Sequence, residues 1–341
     1  MQLSAQKVNG RTLWLGILCI LLVLMIGVGG ITRLTRSGLS IVEWNVVMGT
    51  LPPLTEEAWQ SQFELYQKTP EFQKINAHFE LSDYKRIFFW EYFHRLLGRL
   101  IFFTALVPGL ILVRRKQATM KEVFILSGLV ALQGFIGWFM VKSGLTHMPR
   151  VSPYRLTFHY LTALSILGVV FWWFLKSIHE HLQFKPVQHP LKIKLSLWGL
   201  CFGFFIQLIY GGLTAGLKAG FVYNTYPLME RSFFPPQPFA MDPWFVNLFE
   251  NVSTVQWIHR WNAVFVLLLA GHFYRNLKAS GNKFYEKSGK ALLHVLAFQV
   301  GLGILTLVLK VPVWLGVIHQ VFAAILLLAI LRCLWILRRM T

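Results

Sequence analysis

The chain has 341 residues, 55% of them hydrophobic and only 14% charged, with a formal net charge of +19. A soluble globular domain carries about 25% charged residues, so that class is excluded. The positive balance invites a nucleic-acid partner, but the basic residues fall in short blocks between apolar stretches, which is a topology signal, and nucleic-acid binding is set aside.

Apolar stretches of about 20 residues, the length that crosses a hydrocarbon core of roughly 30 Å, recur along the chain. Backbone groups in lipid must be satisfied internally, so each stretch reads as a helix. Eight are predicted, at 12–31, 88–113, 122–142, 155–176, 192–213, 254–275, 289–309 and 313–336, with ends good to about 2–4 residues. The fold class expected is an all-α integral membrane protein, its eight transmembrane helices forming two pseudo-symmetric four-helix bundles.

In chain order, the first span ends in Gly27-Val28-Gly29-Gly30 without an Ala-x-Ala site and reads as a retained helix, not a cleaved signal. A long polar loop follows. Its segment Thr55 to Asp83 carries amphipathic turns (Ala58, Trp59, Phe63, Leu65, Tyr66, Phe72), expected as short helices on the outer surface or as a lid. Span 2 opens on Glu91-x-x-His94-Arg95, span 3 carries Gln133 and Gly137, and span 4 is entered at Val151 with His159 inside it. A polar loop with Lys185, Pro186, His189 and Pro190 leads to span 5, which ends in Gly211-Gly212-Leu213-Thr214. Span 6 opens on Gln256-x-x-His259-Arg260, span 7 carries Gln299 and Gly303, and span 8 is entered at Val311 with His319 inside it.

With the N-terminus inside, the blocks Lys7/Arg11, Arg114-Arg115-Lys116, Lys185/Lys192/Lys194, Lys278/Lys283/Lys287 and Arg338-Arg339 all fall on one side. This is the positive-inside pattern, with both termini cytoplasmic, or in the matrix of a mitochondrion. Cys19, Cys201 and Cys333 all lie within spans, so no structural disulfide is expected.

The chain repeats itself. Gly29-Gly30-Ile31-Thr32 matches Gly211-Gly212-Leu213-Thr214, and Pro52-Pro53 matches Pro235-Pro236. The Glu91/His94/Arg95 and Gln256/His259/Arg260 motifs, the Gln-Gly pairs and the Val-His pairs follow in the same order. The halves are expected at 1–176 and 191–341, joined by a cytoplasmic linker at 177–190. Each has an even number of spans, so the two share one orientation about an axis along the membrane normal.

Four histidines, His94, His159, His259 and His319, each fall early in an even-numbered span and so lie at similar depth, near the outer face. A histidine inside a span is a functional-site hypothesis by default; the competing reading is a core histidine hydrogen-bonded between helices. Zinc favours three or four protein ligands, often with carboxylate or thiolate. Two imidazoles facing each other in a four-helix core suit the two axial positions of haem iron. Arg95 and Arg260 are expected to pair with haem propionates, or to snorkel to lipid headgroups. Glu91 stands where the second half has Gln256. A carboxylate can move a proton or stabilise a cation and an amide does neither well, so the first half reads as the chemical one. The competing role for Glu91 is a salt bridge with Arg95 or Arg99.

The segments Gly29-Gly30-Ile31-Thr32-Arg33-Leu34-Thr35-Arg36-Ser37-Gly38-Leu39-Ser40 and Glu91-Tyr92-Phe93-His94-Arg95-Leu96-Leu97-Gly98-Arg99, with the histidines of spans 4, 6 and 8, make the chain resemble the haem A synthase family over its full length. The long first loop and the lack of loop cysteines resemble the proteobacterial and mitochondrial branch. The resemblance implies oxidation of the C8 methyl of haem O to a formyl group by successive hydroxylations, giving haem A for terminal oxidases. It implies His94 and His159 as axial ligands of the substrate haem O, Glu91 as the catalytic residue, and His259 and His319 as ligands of a resident haem b. Partners implied are haem O synthase, an electron donor, membrane lipid and, as an open question, further copies of the chain. The setting implied is a bacterial inner membrane. Competing readings are a quinone-linked di-haem b electron carrier and, behind it, a parallel-repeat transporter.

Overall fold

The computed structural model describes residues 9–43, 51–146, 149–179 and 190–339. His147 and most of the expected linker, 180–189, lie outside the described residues. Among the described residues the secondary structure is helical, and the extended backbone pairs only at an isolated bridge between Met229 and Ser232. The helices are α1 (Gly10–Leu34), α2 (Glu56–Gln67), α3 (Leu81–Arg114), α4 (Met120–Thr146), α5 (Pro153–His179), α6 (Leu191–Gly216), α7 (Asn247–Glu250), α8 (Val252–Ala279), α9 (Lys283–Val308) and α10 (Val313–Arg339).

Seven of these, α1, α3, α4, α5, α6, α9 and α10, are long and apolar enough to cross a membrane, which makes the chain a multi-pass membrane protein. Sequence patterning predicts eight spans. The difference is α8, which covers the predicted 254–275 and is 28 residues long. Gln256, His259, Arg260, Asn262 and His272 dilute its apolar character below that of the other seven.

The chain divides into two compact units, Met1–Ser152 with Thr162–Leu182, and Pro153–Leu161 with Gln183–Thr341. In the first unit α1 packs along α3, α3 on α4, and α2 on α3. The Asn9 side chain caps α1 by accepting from Thr12 N at 2.7 Å. Next to it, Arg11 Nη2 pairs with Glu122 Oε1 at 2.6 Å, tying α1 to α4. Glu122 also closes a capping box: Thr119 N donates to its Oε2 at 2.9 Å and its own N donates to Thr119 Oγ1 at 3.2 Å. The later part of α5 joins this unit through the hydroxyl pair Thr12–Ser177 and through Thr162 Oγ1 donating to Gln133 Oε1 at 2.6 Å.

The segment 51–80 is folded. Thr55 caps α2, and Phe63 and Tyr66 from its buried face join Ile41, Tyr84, Ile87 and Phe88 in an aromatic cluster on the first turns of α3. The Tyr66 hydroxyl donates to Glu71 Oε2 at 3.2 Å and accepts from Asn76 Nδ2 at 2.8 Å. Burial, with the neighbouring Glu71, pushes its phenol well above the ordinary range, so it stays a neutral donor.

In the second unit α6 packs on α8, α8 on α9, α9 on α10, and α10 returns to α6. Asn251 starts α8 by accepting from Ser253 N at 3.1 Å and Thr254 N at 3.3 Å. The first turns of α5 press on the end of α6, where only glycine fits. A Cβ at Gly216 would fall 2.6 Å from Pro153 Cα, and one at Gly212 would fall 2.7 Å from Thr157 Oγ1.

Candidate functional site

In the first unit His94 lies on α3 against Gly29 of α1, so close that a Cβ at Gly29 would be 3.3 Å from His94 Nε2. One turn earlier on α3, Glu91 is only 3% exposed. Both of its carboxylate oxygens are engaged. Oε1 accepts from Arg95 Nη2 at 2.7 Å, while Oε2 accepts from Ser40 Oγ at 2.7 Å and Ile41 N at 2.8 Å. Arg95 reaches further, donating from Nη2 to Ile41 O at 2.9 Å and from Nη1 to Glu43 O at 3.0 Å. Thr32 of α1 donates to Trp90 O at 3.3 Å just beside this group. Charge-assisted hydrogen bonds of this kind are stronger than those between neutral groups. A cavity of about 310 Å³ adjoins them, lined among others by Ile41, Pro53, Gln62, Tyr92, Arg95 and Arg99.

The second unit repeats the plan. His259 of α8 lies against Gly211 of α6, where a Cβ would be 3.3 Å from His259 Cε1. Gln256 is 2% exposed; its Oε1 accepts from Arg260 Nη2 at 2.8 Å, and its Nε2 donates to Ala219 O at 2.6 Å and to Val222 O. Arg260 donates from Nη2 to Tyr223 O, and from Nη1 to Thr225 O at 2.7 Å and Leu228 O at 3.2 Å. The imidazole is oriented by Gln207, whose Nε2 meets His259 Nδ1 at 3.1 Å and donates to His259 O at 3.0 Å. Asn262 holds Gln207 in turn, at 2.7 Å. His319 of α10 packs on α9: Gln299 Nε2 donates to His319 O at 3.0 Å, and a Cβ at Gly303 would fall 2.9 Å from His319 Cε1.

His94, His159, His259 and His319 are all half-buried. His94 belongs to the first unit; His159 lies on Pro153–Leu161, which is counted with the second. Among the described residues no three His, Cys, Asp or Glu side chains gather as a metal site. Three of the four histidines face glycine backbone across a space that one methyl group would fill, and His319 Nδ1 is buried without a hydrogen-bond partner. Imidazoles held inside the helix packing, one of them with a buried and unpaired ring nitrogen, are the nitrogen donors that haem iron takes, so these residues fit haem.

Two features escape sequence reading. Glu91, Arg95, Gln256 and Arg260 are bound to the backbone of the loops after α1 and α6, a partner that no residue type announces. The pair Gln207 and Asn262 supports His259, while Met25 and Leu97 stand at the matching places of the first half. The repeat offsets carry that second signal, since they align an amide pair with two apolar residues.

The family of cytochrome oxidase assembly proteins (COX15-CtaA) matches residues 12–331. Similar curated proteins include haem A synthases from three bacteria. That of Bradyrhizobium sp. strain BTAi1 is 41% identical over 321 residues, covering 92% of this chain and 88% of the relative. That of Nitrosospira multiformis is 41% identical over 336 residues, covering 95% and 91%. That of Flavobacterium psychrophilum is 42% identical over 325 residues, covering 92% and 94%.

Proposed function

The chain belongs to the haem A synthase family of cytochrome oxidase assembly proteins, and from that premise we infer that it is a haem A synthase, an oxidoreductase acting on a CH bond of haem O. The observation that carries this is identity of about 40% with haem A synthases across more than nine-tenths of the chain. The reaction takes the C8 methyl of haem O to a formyl group by successive hydroxylations, and its product serves terminal oxidases.

We assign His94 and His159 to the iron of the substrate haem O, and His259 and His319 to a resident haem b. When bound, haem b supplies one-electron transfer. Gln207 holds the His259 ring in place for that task, its Nε2 lying 3.1 Å from Nδ1 and donating to His259 O at 3.0 Å. Glu91 is assigned to assist the oxidation: it is the ionisable group one turn from His94, and the neutral Gln256 is its counterpart. Arg95 and Arg260 sit beside these sites as candidate propionate partners, and Arg260 Nε is buried without a hydrogen-bond partner.

The arrangement in the membrane follows from the same reading. α8 crosses as an eighth span, its polar first turns turned toward the haem. Residues 1–176 and 191–341 then form two related four-helix halves joined by a linker at 177–190. Both termini are cytoplasmic, the haem sites lie near the outer face of the inner membrane, and the partners are haem O synthase, an electron donor, lipid and, if the chain self-associates, further copies. The test is expression of variants in cells that make haem O, followed by extraction of haems. Glu91→Ala is expected to lose most haem A while keeping bound haem, and haem A at the wild-type level in His94→Ala would refute the substrate-site assignment.

A further inference from the structure

The offset of 182 residues that separates Gly29 from Gly211 also separates Arg36 from Lys218, Ile41 from Tyr223 and Glu43 from Thr225. Arg36 and Lys218 both adopt left-handed backbone, at φ 56° and 57°, two residues past the ends of α1 and α6. The chain therefore leaves both helices by the same turn into two equivalent straps, 35–43 and 217–228. Arg95 and Arg260 grip these straps at equivalent places. In each case Nη2 donates to the carbonyl of residue 41 or 223, and Nη1 to that of residue 43 or 225. Each Nη2 also donates to the side chain one turn earlier, Glu91 Oε1 or Gln256 Oε1.

What differs is the polarity of the strap. The first turns donors toward α3, Ser40 Oγ at 2.7 Å and Ile41 N at 2.8 Å, and both go to Glu91 Oε2. The second turns acceptors toward α8, the carbonyls of Ala219 and Val222, and both take from Gln256 Nε2. A carboxylate is acceptor-only, while an amide has one accepting and one donating end. Glutamine at 91 would set its NH2 against either Arg95 or the Ile41 N–H. Glutamate at 256 would set an oxygen against two carbonyl oxygens. Neither half can use the other's residue without leaving buried groups unpaired.

We propose that Arg95 and Arg260 are positioning residues that latch equivalent straps over α3 and α8, and that Glu91 and Gln256 differ because the straps face them with opposite hydrogen-bonding groups. The latch fixes α1 against α3, and α6 against α8, one turn from His94 and His259. It thereby sets each imidazole against its glycine. The Glu91/Gln256 difference is then required by local geometry in addition to any part Glu91 takes in the oxidation. This inference stands on the hydrogen bonds and goes beyond the reaction assigned above.

Hydrogen exchange of peptides covering 35–43 and 217–228 tests it, on full-length, haem-loaded protein in lipid nanodiscs. Loss of a charge-assisted bond is expected to speed exchange roughly 10- to 100-fold. Glu91→Gln and Arg95→Lys should do so in 35–43 and leave 217–228 at the wild-type rate; Gln256→Glu and Arg260→Lys should do the reverse. Ser40→Ala removes a single hydrogen bond, is mild enough to keep the fold, and should speed 35–43 about 5-fold. Haem A made by the wild type is scored separately, so failure of the assigned reaction and failure of the latch are told apart. Wild-type exchange in 35–43 for Glu91→Gln or for Ser40→Ala would overturn the proposal. So would equal acceleration of both straps by one variant, which reports general loosening.

Discussion

Gly29→Ala is the sharpest probe of the haem proposed at His94. The added methyl carbon falls 3.3 Å from His94 Nε2 and 3.7 Å from Cδ2, against the imidazole assigned to iron. Contact with Nε2 is closer than ordinary van der Waals packing, so the ring or α1 must give by a few tenths of an ångström. Overpacking of this kind costs about 1–3 kcal/mol, and at about 1.4 kcal/mol per decade the variant should hold its haem roughly 5- to 150-fold less tightly. Transfer of haem from the purified protein to an excess of a soluble haem scavenger measures this, and extraction tells haem O or haem A from haem b. The haem b proposed at His259 and His319 should be unaffected and serves as the internal control. Wild-type retention of the haem proposed at His94, or loss of haem b instead, would refute the assignment.

Other outcomes follow from the same geometry. Gly303→Ala puts a methyl 2.9 Å from His319 Cε1, and its extracts should show haem b depleted relative to Gly29→Ala. Gln207→Met, which installs the residue found at the matching place of the first half, should weaken haem b binding about 10- to 100-fold, the usual cost of losing the group that orients a metal-bound histidine; spectroscopic titration with haem b decides, and unchanged affinity would count against His259 as a ligand. Glu122→Ala takes the carboxylate from Arg11, whose side chain is 11% exposed. Breaking a buried pair costs about 3–5 kcal/mol, so the melting temperature in detergent should fall clearly, and no fall would mean that the pair is screened. Tyr66→Phe removes a hydroxyl shared by Glu71 and Asn76. That costs about 1–3 kcal/mol and should speed proteolysis between α2 and α3, with an unchanged cleavage rate counting against a packed loop.

The seven most apolar long helices were legible from stretches of about 20 apolar residues, and α2 because Trp59, Phe63 and Tyr66 recur at helical spacing with Thr55 ahead of them. α8 shows the limit of that signal: it forms a helix where expected, but the residues that make it interesting are the ones that lower its hydropathy. The histidines were legible from the repeat, which sets two Val-His and two His-Arg pairs in register. The arginine partners were not, because Arg95 and Arg260 bind main-chain carbonyls, which every residue carries. Nor does chain order show that Pro153–Leu161 packs with the second unit, since that grouping depends on Gly212 and Gly216 having no side chain to keep Pro153 and Thr157 away.

The most direct measurement is identification of the haems on protein purified from cells that also make haem O. Haem A should accumulate alongside retained haem b. Haem b alone, filling both sites with no haem O or haem A in the extract, would contradict the synthase and leave a di-haem electron carrier.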